Sequence, residues 1–209
     1  MTSNKAAPTD FLLLRCEVAN ASLLPDAARR FCATNAMVLH RAAWSEATNI
    51  AFVYARLHAR AHVPSSAVPA LNAAWEHTCQ GAANTTVSRL EQVLDKPGHS
   101  QAETPAFHYV VETDPDTGWA EEIFRWYDTE HMPGLAGVPG CIHARRLLNH
   151  DHGLHDGLDH GPLSFACYDL VTEETLGSPP WLAVRGTAWS DITRPHFTNT
   201  RRTMMQVWA

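Results

Sequence analysis

The sequence predicts an α+β fold made of two tandem units, each with the element order β-α-β-β-α-β. Strand-like and helix-like segments follow one another in that order twice, and a linker-like stretch separates the two series. A short segment ahead of each last strand also recurs, as AAWEHTC at 73–79 and TAWSDIT at 187–193. Each unit would place both helices on one face of its sheet. The other apolar faces would then cover each other and close one α+β barrel within the chain.

The first series of elements lies in residues 1–97. Residues 11–18 form an apolar run between polar segments, which predicts the first strand. Leu24, Ala27 and Phe31 recur at helical spacing around Pro25, a residue that suits a first helical turn. Further strands are predicted at 36–44, 49–58 and 85–94, and a second helix at 67–79.

A linker is predicted at 98–105, between units at 1–97 and 106–209. The surrounding segment, DKPGHSQAETP at 95–105, contains two prolines and a glycine and no aliphatic side chain larger than alanine. This composition is typical of a connection rather than of a strand or helix.

The second series begins with a strand at 107–114 and a helix from about Trp119. That helix is expected to end near His131, because Pro133, Gly134 and Gly137 extend a helix poorly. Strands are then predicted at 140–148, 163–171 and 200–208, with a helical stretch around 180–192.

The composition excludes several classes of protein. With 209 residues, 45% hydrophobic and 18% charged, the chain can bury a sizeable core. Its net charge of -6 comes from mixed charges rather than runs, which argues against nucleic acid or an anionic membrane as a partner. The polar N-terminus lacks the pattern of a signal peptide, and five scattered cysteines without a CxxC pair indicate reduced, mostly buried thiols. We therefore expect a cytoplasmic protein.

The segment EEIFRWYDTEHMPGLAGVPGCIHARR at 121–146 carries the candidate chemistry. On a helix, Tyr127 and His131 share a largely apolar side. An imidazole there can titrate near neutrality and be oriented by Tyr127, Glu130 or Asp128, which are the parts of a general acid/base site. The alternative is structural, because a histidine at a helix C-terminus also interacts well with the last carbonyls.

The run W-Y-D-T-E-H-M-P-G-L, followed by V-P-G and R-R, resembles the EthD-like branch of the dimeric α+β barrel superfamily. The resemblance covers 107–209, including Tyr168, Trp189, Pro195 and Arg201. It implies a ferredoxin-like unit paired sheet to sheet with a second unit, and a cavity for a small hydrophobic or aromatic compound. Such relatives include monooxygenases without metal or flavin, polyketide cyclases, isomerases, dehydratases and members with no known activity.

Carried onto this sequence, the resemblance implies that His131 is the acid/base, with Tyr127 and Glu130 as further catalytic residues. Arg145 or Arg146 would meet an anionic oxygen, one of the two being directed inward by strand alternation. The residues expected to line the substrate site are Trp126, Asp128, Arg145, Arg146, Tyr168, Trp189, His143 and His40. Since the first half lacks the W-Y-x-x-E-H-x-P segment, one working pocket per chain is expected.

Histidines outside this motif allow other interpretations. The loop at 149–162 holds four histidines and three aspartates, a set that suits a transition metal. The glycines and the unfamiliar spacing favour a solvated loop instead, so no metal site is predicted. His40 and His143 are expected to face the barrel interior, and His131 or His196 as an axial haem ligand is a further alternative.

These observations predict an enzyme without metal or organic cofactor that performs lyase, isomerase or cyclase chemistry on a small aromatic or polyketide-like compound. The alternatives are a non-catalytic small-molecule binding protein and a metal- or haem-dependent oxygenase of the same fold. Trp181, Trp208, Met204 and Met205 suggest apolar surface for a homodimer.

Overall fold

The computed structural model describes residues 6–154 and 157–209 and confirms the predicted α+β class. The described residues form eight strands: β1 Ala6–Glu17, β2 Val38–Trp44, β3 Ile50–Pro64, β4 Ala83–Pro97, β5 Phe107–Pro115, β6 Cys141–Asn149, β7 Ser164–Leu170 and β8 Phe197–Val207. They also form six α-helices: α1 Leu24–Thr34, α2 Val68–Thr78, α3 Ala120–Trp126, α4 Met132–Ala136, α5 Pro179–Arg185 and α6 Ala188–Thr193. A π-helical segment, Tyr127–His131, joins α3 to α4.

The chain divides into two compact units. The first comprises residues 1–92, 148–161 and 205–209, and the second comprises 93–147 and 162–204. Both the division near residue 92 and the one at residue 205 fall inside a strand, β4 and β8 respectively. Among the helices in the described residues, none combines the length and the apolar character needed to cross a membrane.

In the first unit, β1 lies between β3 and β4 and pairs antiparallel with both. Because β2 pairs with the other side of β3, the strand order is β4-β1-β3-β2. The apolar run from Phe11 to Leu14 is buried throughout, as expected for a strand covered on both faces. Trp75 of α2 packs edge-on against Phe31 of α1, with ring centroids 5.7 Å apart, and both residues belong to the core on the helical side.

In the second unit, the strand order is β8-β5-β7-β6, which repeats the order of the first. Tyr109 of β5 lies opposite Tyr168 of β7 in an antiparallel pair, and the two rings stack with centroids 6.1 Å apart. Both tyrosines belong to the core that also contains Ile123, Trp126 and Trp181 from the helices. The helix-covered face of this sheet is therefore aromatic.

The predicted end of a helix at His131 is wrong, because the chain remains helical to Ala136. Pro133 has no N–H to close an α-turn, and its ring would crowd the carbonyl four residues earlier. The chain avoids this conflict by widening one turn, in which the N–H of Met132 donates to the carbonyl of Tyr127, five residues back. Pro133 then occupies the first turn of α4, where its missing N–H is tolerated.

Residues at the start of the predicted linker belong to the second unit and form hydrogen bonds within it. The backbone N–H groups of Gly98, His99 and Ser100 donate to the carbonyls of Ile142, Ala136 and Cys141 at 2.8, 2.8 and 2.9 Å. A Cβ atom added at Gly98 would lie 2.3 Å from the Cys141 carbonyl oxygen. A glycine is therefore required at this close backbone approach.

Candidate functional site

A small cavity in the second unit lies between the sheet and the helices that cover it. Its volume is about 30 Å³, enough for water but not for an aromatic ring system. The lining comprises six aromatic side chains, two aliphatic ones, one histidine and three arginines: Tyr109, Trp126, Tyr127, Tyr168, Trp181, Phe197, Val111, Leu135, His131, Arg185, Arg194 and Arg202. We call this cavity the His131 pocket.

His131 lies in the wall of this pocket with only 8% of its surface exposed. Its ring stacks on Trp126, with centroids 4.1 Å apart and planes 20° apart, and meets Tyr127 edge-on at 5.7 Å. Its Nδ1 atom is buried without a hydrogen-bond partner in the described residues. The imidazole is thus held by ring packing rather than by a hydrogen-bonded carboxylate.

The protein strongly disfavours the charged form of His131. Burial, with the positive charges of Arg185 and Arg194, lowers the pKa of His131 to about 3. The expectation that this imidazole titrates near neutrality is therefore wrong, because it lies in an apolar pocket beside two cations. At neutral pH it is uncharged and offers one donor and one acceptor nitrogen.

The tyrosines of the pocket are also neutral. Burial raises the pKa of Tyr168 and Tyr127 well above the usual tyrosine range, and that of Tyr109 to a smaller degree. Each phenol therefore keeps its proton at neutral pH. The hydroxyl of Tyr168 is buried without a hydrogen-bond partner in the described part of the chain.

Two tryptophans of the pocket likewise carry unmatched polar atoms. The indole Nε1 atoms of Trp126 and Trp181 are buried, and no described residue accepts a hydrogen bond from them. An indole N–H can only donate. Buried donors normally find an acceptor. These two N–H groups therefore suit a ligand that brings an acceptor to this wall of the pocket.

Three arginines supply the charge of the pocket. Arg185 ends α5, Arg194 lies in the short turn Arg194–His196, and Arg202 lies on β8. An Nη1 group of Arg194 donates to the Arg185 carbonyl at 3.1 Å. Within the described residues, none of the three forms an ion pair with a carboxylate. Sequence analysis missed them because they come from three separate elements, and only the strand alternation in TRRTM offered a signal for Arg202.

The structure directs Asp128 and Glu130 away from His131, contrary to the orienting roles predicted for them. The Asp128 carboxylate accepts two hydrogen bonds from Arg146, at 2.7 and 2.8 Å. Glu130 accepts a hydrogen bond from the Thr187 hydroxyl at 2.6 Å. In the same π-helical segment, Tyr127 and His131 are buried, whereas Asp128 and Glu130 are half-buried.

Neither arginine of the R-R pair lines the pocket, contrary to prediction. Arg146 is buried against Asp128 and lies over the Phe124 ring, 4.5 Å from its centroid. Arg145 points to the other face of β6, where it bridges Asp95 at 3.0 Å and Asp169 at 3.2 Å. Each guanidinium is already neutralised by a carboxylate of the protein.

The remaining predicted binding residues lie in three other places. His143 contacts Asp95, with Nε2 2.5 Å from a carboxylate oxygen. Trp189 is half-buried and donates from its indole to Glu122 at 2.7 Å. His40 belongs to the first unit, where its ring meets Phe11 edge-on at 5.2 Å. Of the predicted site residues, the structure thus brings together His131, Tyr127, Trp126 and Tyr168.

The histidine-rich loop is anchored near its two ends, whereas its described residues 152–153 and 157–159 are exposed to solvent, as predicted. Asp151 is fully buried and binds Arg89, which is itself only 3% exposed, at 2.6 Å. His150 contacts Glu91 at 3.1 Å, and His160 is buried. Among the residues that the structure describes, no three metal-binding side chains form a group. His155 and Asp156, which belong to the predicted loop, lie outside the described residues.

The structure also shows the surroundings of Trp181, suggested for a dimer surface, and of His196, suggested as an axial haem ligand. Trp181 is 1% exposed and lines the His131 pocket, so it offers no surface for a dimer. The His196 ring stacks on Trp119 with centroids 3.4 Å apart, and its Nδ1 lies 3.6 Å from Asp116.

No protein-family model and no curated protein sequence matches this chain. Solved structures do match it. A proposed monooxygenase from Fusobacterium nucleatum has a TM-score of 0.58 at 12% identity and covers 98% of this chain and 94% of its own. A proposed monooxygenase from Lactobacillus acidophilus has a TM-score of 0.55 at 10% identity, covering 96% and 93%. An anthrone oxidase-like protein has a TM-score of 0.54 at 12% identity, covering 98% and 94%.

The fold is the dimeric α+β barrel. At identities of 10–12%, this similarity extends to the fold alone. The function of this chain therefore depends on its own side chains.

Proposed function

We propose that this protein binds a small aromatic compound in the His131 pocket and that neutral His131 moves a proton on it, as a lyase, isomerase or cyclase without organic cofactor. One observation carries the proposal. A buried imidazole, with Nδ1 unpartnered in the described residues, lines an aromatic cavity in a neutral form that can accept a proton. The resemblance of W-Y-D-T-E-H-M-P to the EthD-like branch supports the same residue.

The pocket must widen to admit such a compound, because its volume is only about 30 Å³. Arg202 is exposed and Arg185 half-buried, so both long side chains can shift to admit a compound without disturbing the core. Trp126, Tyr168 and Trp181 are fully buried and form the fixed part of the wall. A planar ring would then stack between fixed aromatic faces.

The chemistry that suits this arrangement is proton transfer at a carbon next to a carbonyl group. The C–H bond breaks, its proton goes to the imidazole nitrogen, and its electron pair forms the C=C bond of an enolate. Hydrogen bonds from Tyr168 or Trp181 to the enolate oxygen would stabilise its charge. Return of the proton to another atom of the same molecule gives an isomer and restores His131. A positioned acid or base contributes ~10²- to 10⁴-fold to the rate, most when its pKa lies near the working pH, so the low pKa of His131 favours the lower end of this range.

An oxygenase is the second candidate. The matching structures include proteins described as monooxygenases and as anthrone oxidase-like. Deprotonation by His131 would serve that reaction too, since removing a proton makes an aromatic substrate more electron-rich. Consumption of dissolved oxygen during turnover distinguishes it from an isomerase or lyase.

The test is hydrogen–deuterium exchange into 2-tetralone, an aromatic ketone with acidic C–H bonds, followed by NMR in D₂O. We expect the protein to accelerate exchange and His131→Gln to lower that acceleration by ~10²-fold or more. His77→Gln, at an exposed position on α2, is the control for loss of an imidazole. Equal exchange in the wild type and His131→Gln would refute the role of His131. Binding without exchange would indicate a non-catalytic binding protein.

A further inference from the structure

We propose that the compound bound in the His131 pocket is an aromatic carboxylate, and that Arg185, Arg194 and Arg202 recognise its anionic group. This inference rests on the proposed function, because it names the class of molecule that occupies the same pocket. It is carried by the arrangement of donors and charges in the wall.

The three arginines differ from the buried arginines elsewhere in the chain. Arg89 and Arg146 each make at least two hydrogen bonds to one carboxylate, that of Asp151 and that of Asp128. The arginines of the pocket converge on one cavity from α5, from the turn Arg194–His196 and from β8. No carboxylate of the described residues pairs with them, and no acidic side chain lines the cavity. Three cations that converge without a paired carboxylate among the described residues suit a ligand with an anionic group.

The uncharged polar atoms of the pocket point to the same chemistry. Trp126 and Trp181 each present a buried indole N–H, and Tyr168 a buried hydroxyl, with no acceptor among the described residues. Indole N–H groups and guanidinium groups only donate hydrogen bonds. A carboxylate only accepts, through two oxygens with about four lone-pair sites. Charge-assisted hydrogen bonds between such groups are the strong ones.

An anion at this position would also change His131. The groups facing its pocket from the surrounding elements are the neutral phenols of Tyr109, Tyr127 and Tyr168 and the cations of Arg185, Arg194 and Arg202. Burial, with the charges of Arg185 and Arg194, holds the pKa of His131 low, and the lining groups supply no negative charge to offset these effects. A carboxylate bound among the arginines offsets their charge and makes the imidazole a stronger proton acceptor. The substrate would thereby help to activate its own base.

The experiment compares 2-naphthoate with 2-naphthamide, two molecules of nearly equal shape of which only the first is charged. Calorimetric titration of the intact protein is expected to show 2-naphthoate binding at least tenfold more tightly than 2-naphthamide. Arg202→Gln and Arg185→Gln should each weaken 2-naphthoate binding about tenfold or more and leave 2-naphthamide binding unchanged. Arg125→Gln, on the exposed side of α3, is the matched control and should alter neither.

Arg185 and Arg202 keep part of their surface in solvent, so the Arg185→Gln and Arg202→Gln variants are expected to fold. Their thermal unfolding midpoints verify this. A His131 signal followed by NMR should move to a higher apparent pKa on addition of 2-naphthoate. The inference is overturned if 2-naphthamide binds as tightly as 2-naphthoate. It is equally overturned if 2-naphthoate does not bind at millimolar concentration, or if folded Arg185→Gln and Arg202→Gln variants bind it normally.

Failure of the proposed function has a different signature. If 2-naphthoate binds through the arginines while His131→Gln leaves 2-tetralone exchange unchanged, anion recognition stands and the role of His131 falls. If exchange depends on His131 but charge does not affect binding, the reverse holds.

Discussion

The substitution His131→Gln should make the stability of the protein less dependent on pH. In the folded protein, burial and the nearby Arg185 and Arg194 lower the pKa of His131 to about 3, from a usual value of 6.5. Between these two values, the unfolded chain binds a proton that the folded chain does not. The free energy of unfolding therefore falls as the pH falls below 6.5, and His131 contributes nothing to this dependence above that value.

The magnitude follows from the size of the interval. Each pH unit below 6.5 costs about 1.4 kcal/mol, so His131 alone should remove roughly 2 kcal/mol at pH 5.0. Urea unfolding of the wild type and His131→Gln at pH 7.5 and pH 5.0, followed by tryptophan fluorescence, gives four free energies. The loss between the two pH values should be about 2 kcal/mol smaller in the variant.

This double difference cancels any uniform change in stability that the glutamine causes. His77→Gln, which removes an exposed imidazole from α2, should retain the pH dependence of the wild type. If His131→Gln also retained it, the imidazole would be accessible to protons in the folded state. The argument for a neutral, buried histidine would then be incorrect.

Two further substitutions test the packing of each unit. Asp151→Asn leaves the buried Arg89 without a counter-charge, and urea unfolding should show that the free energy of unfolding falls by about 3–5 kcal/mol. The control Asp26→Asn, at an exposed ion pair, should lower it by less than about 1 kcal/mol. Equal losses in the two variants would contradict the buried pairing. Gly98→Ala forces a Cβ atom against the Cys141 carbonyl oxygen and should cost about 1–3 kcal/mol, measured as a lower thermal midpoint. A midpoint equal to that of the wild type would show that this backbone approach separates easily.

Much of the fold follows from local patterns in the sequence. The apolar run around Leu12 and the helical spacing from Leu24 to Phe31 determine β1 and α1, because each pattern matches the geometry of one element. The start of β1 at Ala6 was not predicted, because residues 6–10, which come before the apolar run, are small or polar. The same locality explains why Trp126, Tyr127 and His131, which lie within six residues of one another, line one pocket.

The rest of the site depends on contacts that no local pattern encodes. Asp128 and Glu130 have the composition of catalytic carboxylates, but their partners, Arg146 and Thr187, are brought to them by tertiary structure. The low pKa of His131 likewise arises from burial and from Arg185, which is more than fifty residues away in the sequence. Charge in a pocket is a property of the folded assembly of elements rather than of any one motif.

The π-helical segment makes the position of the imidazole a matter of chain length. A widened turn holds one more residue than an α-turn, and each residue of an α-helix rotates its side chain by about 100°. Because the extra residue is confined to this one turn, loss of a single residue, such as the exposed Thr129, would restore regular α-geometry and leave His131 on the same face as Trp126. A homologue shortened by one codon here would keep the tryptophan, the histidine and the proline of the motif. It would still present the imidazole to the pocket, whereas a regular α-helix of unchanged length would rotate that side chain by about 100°.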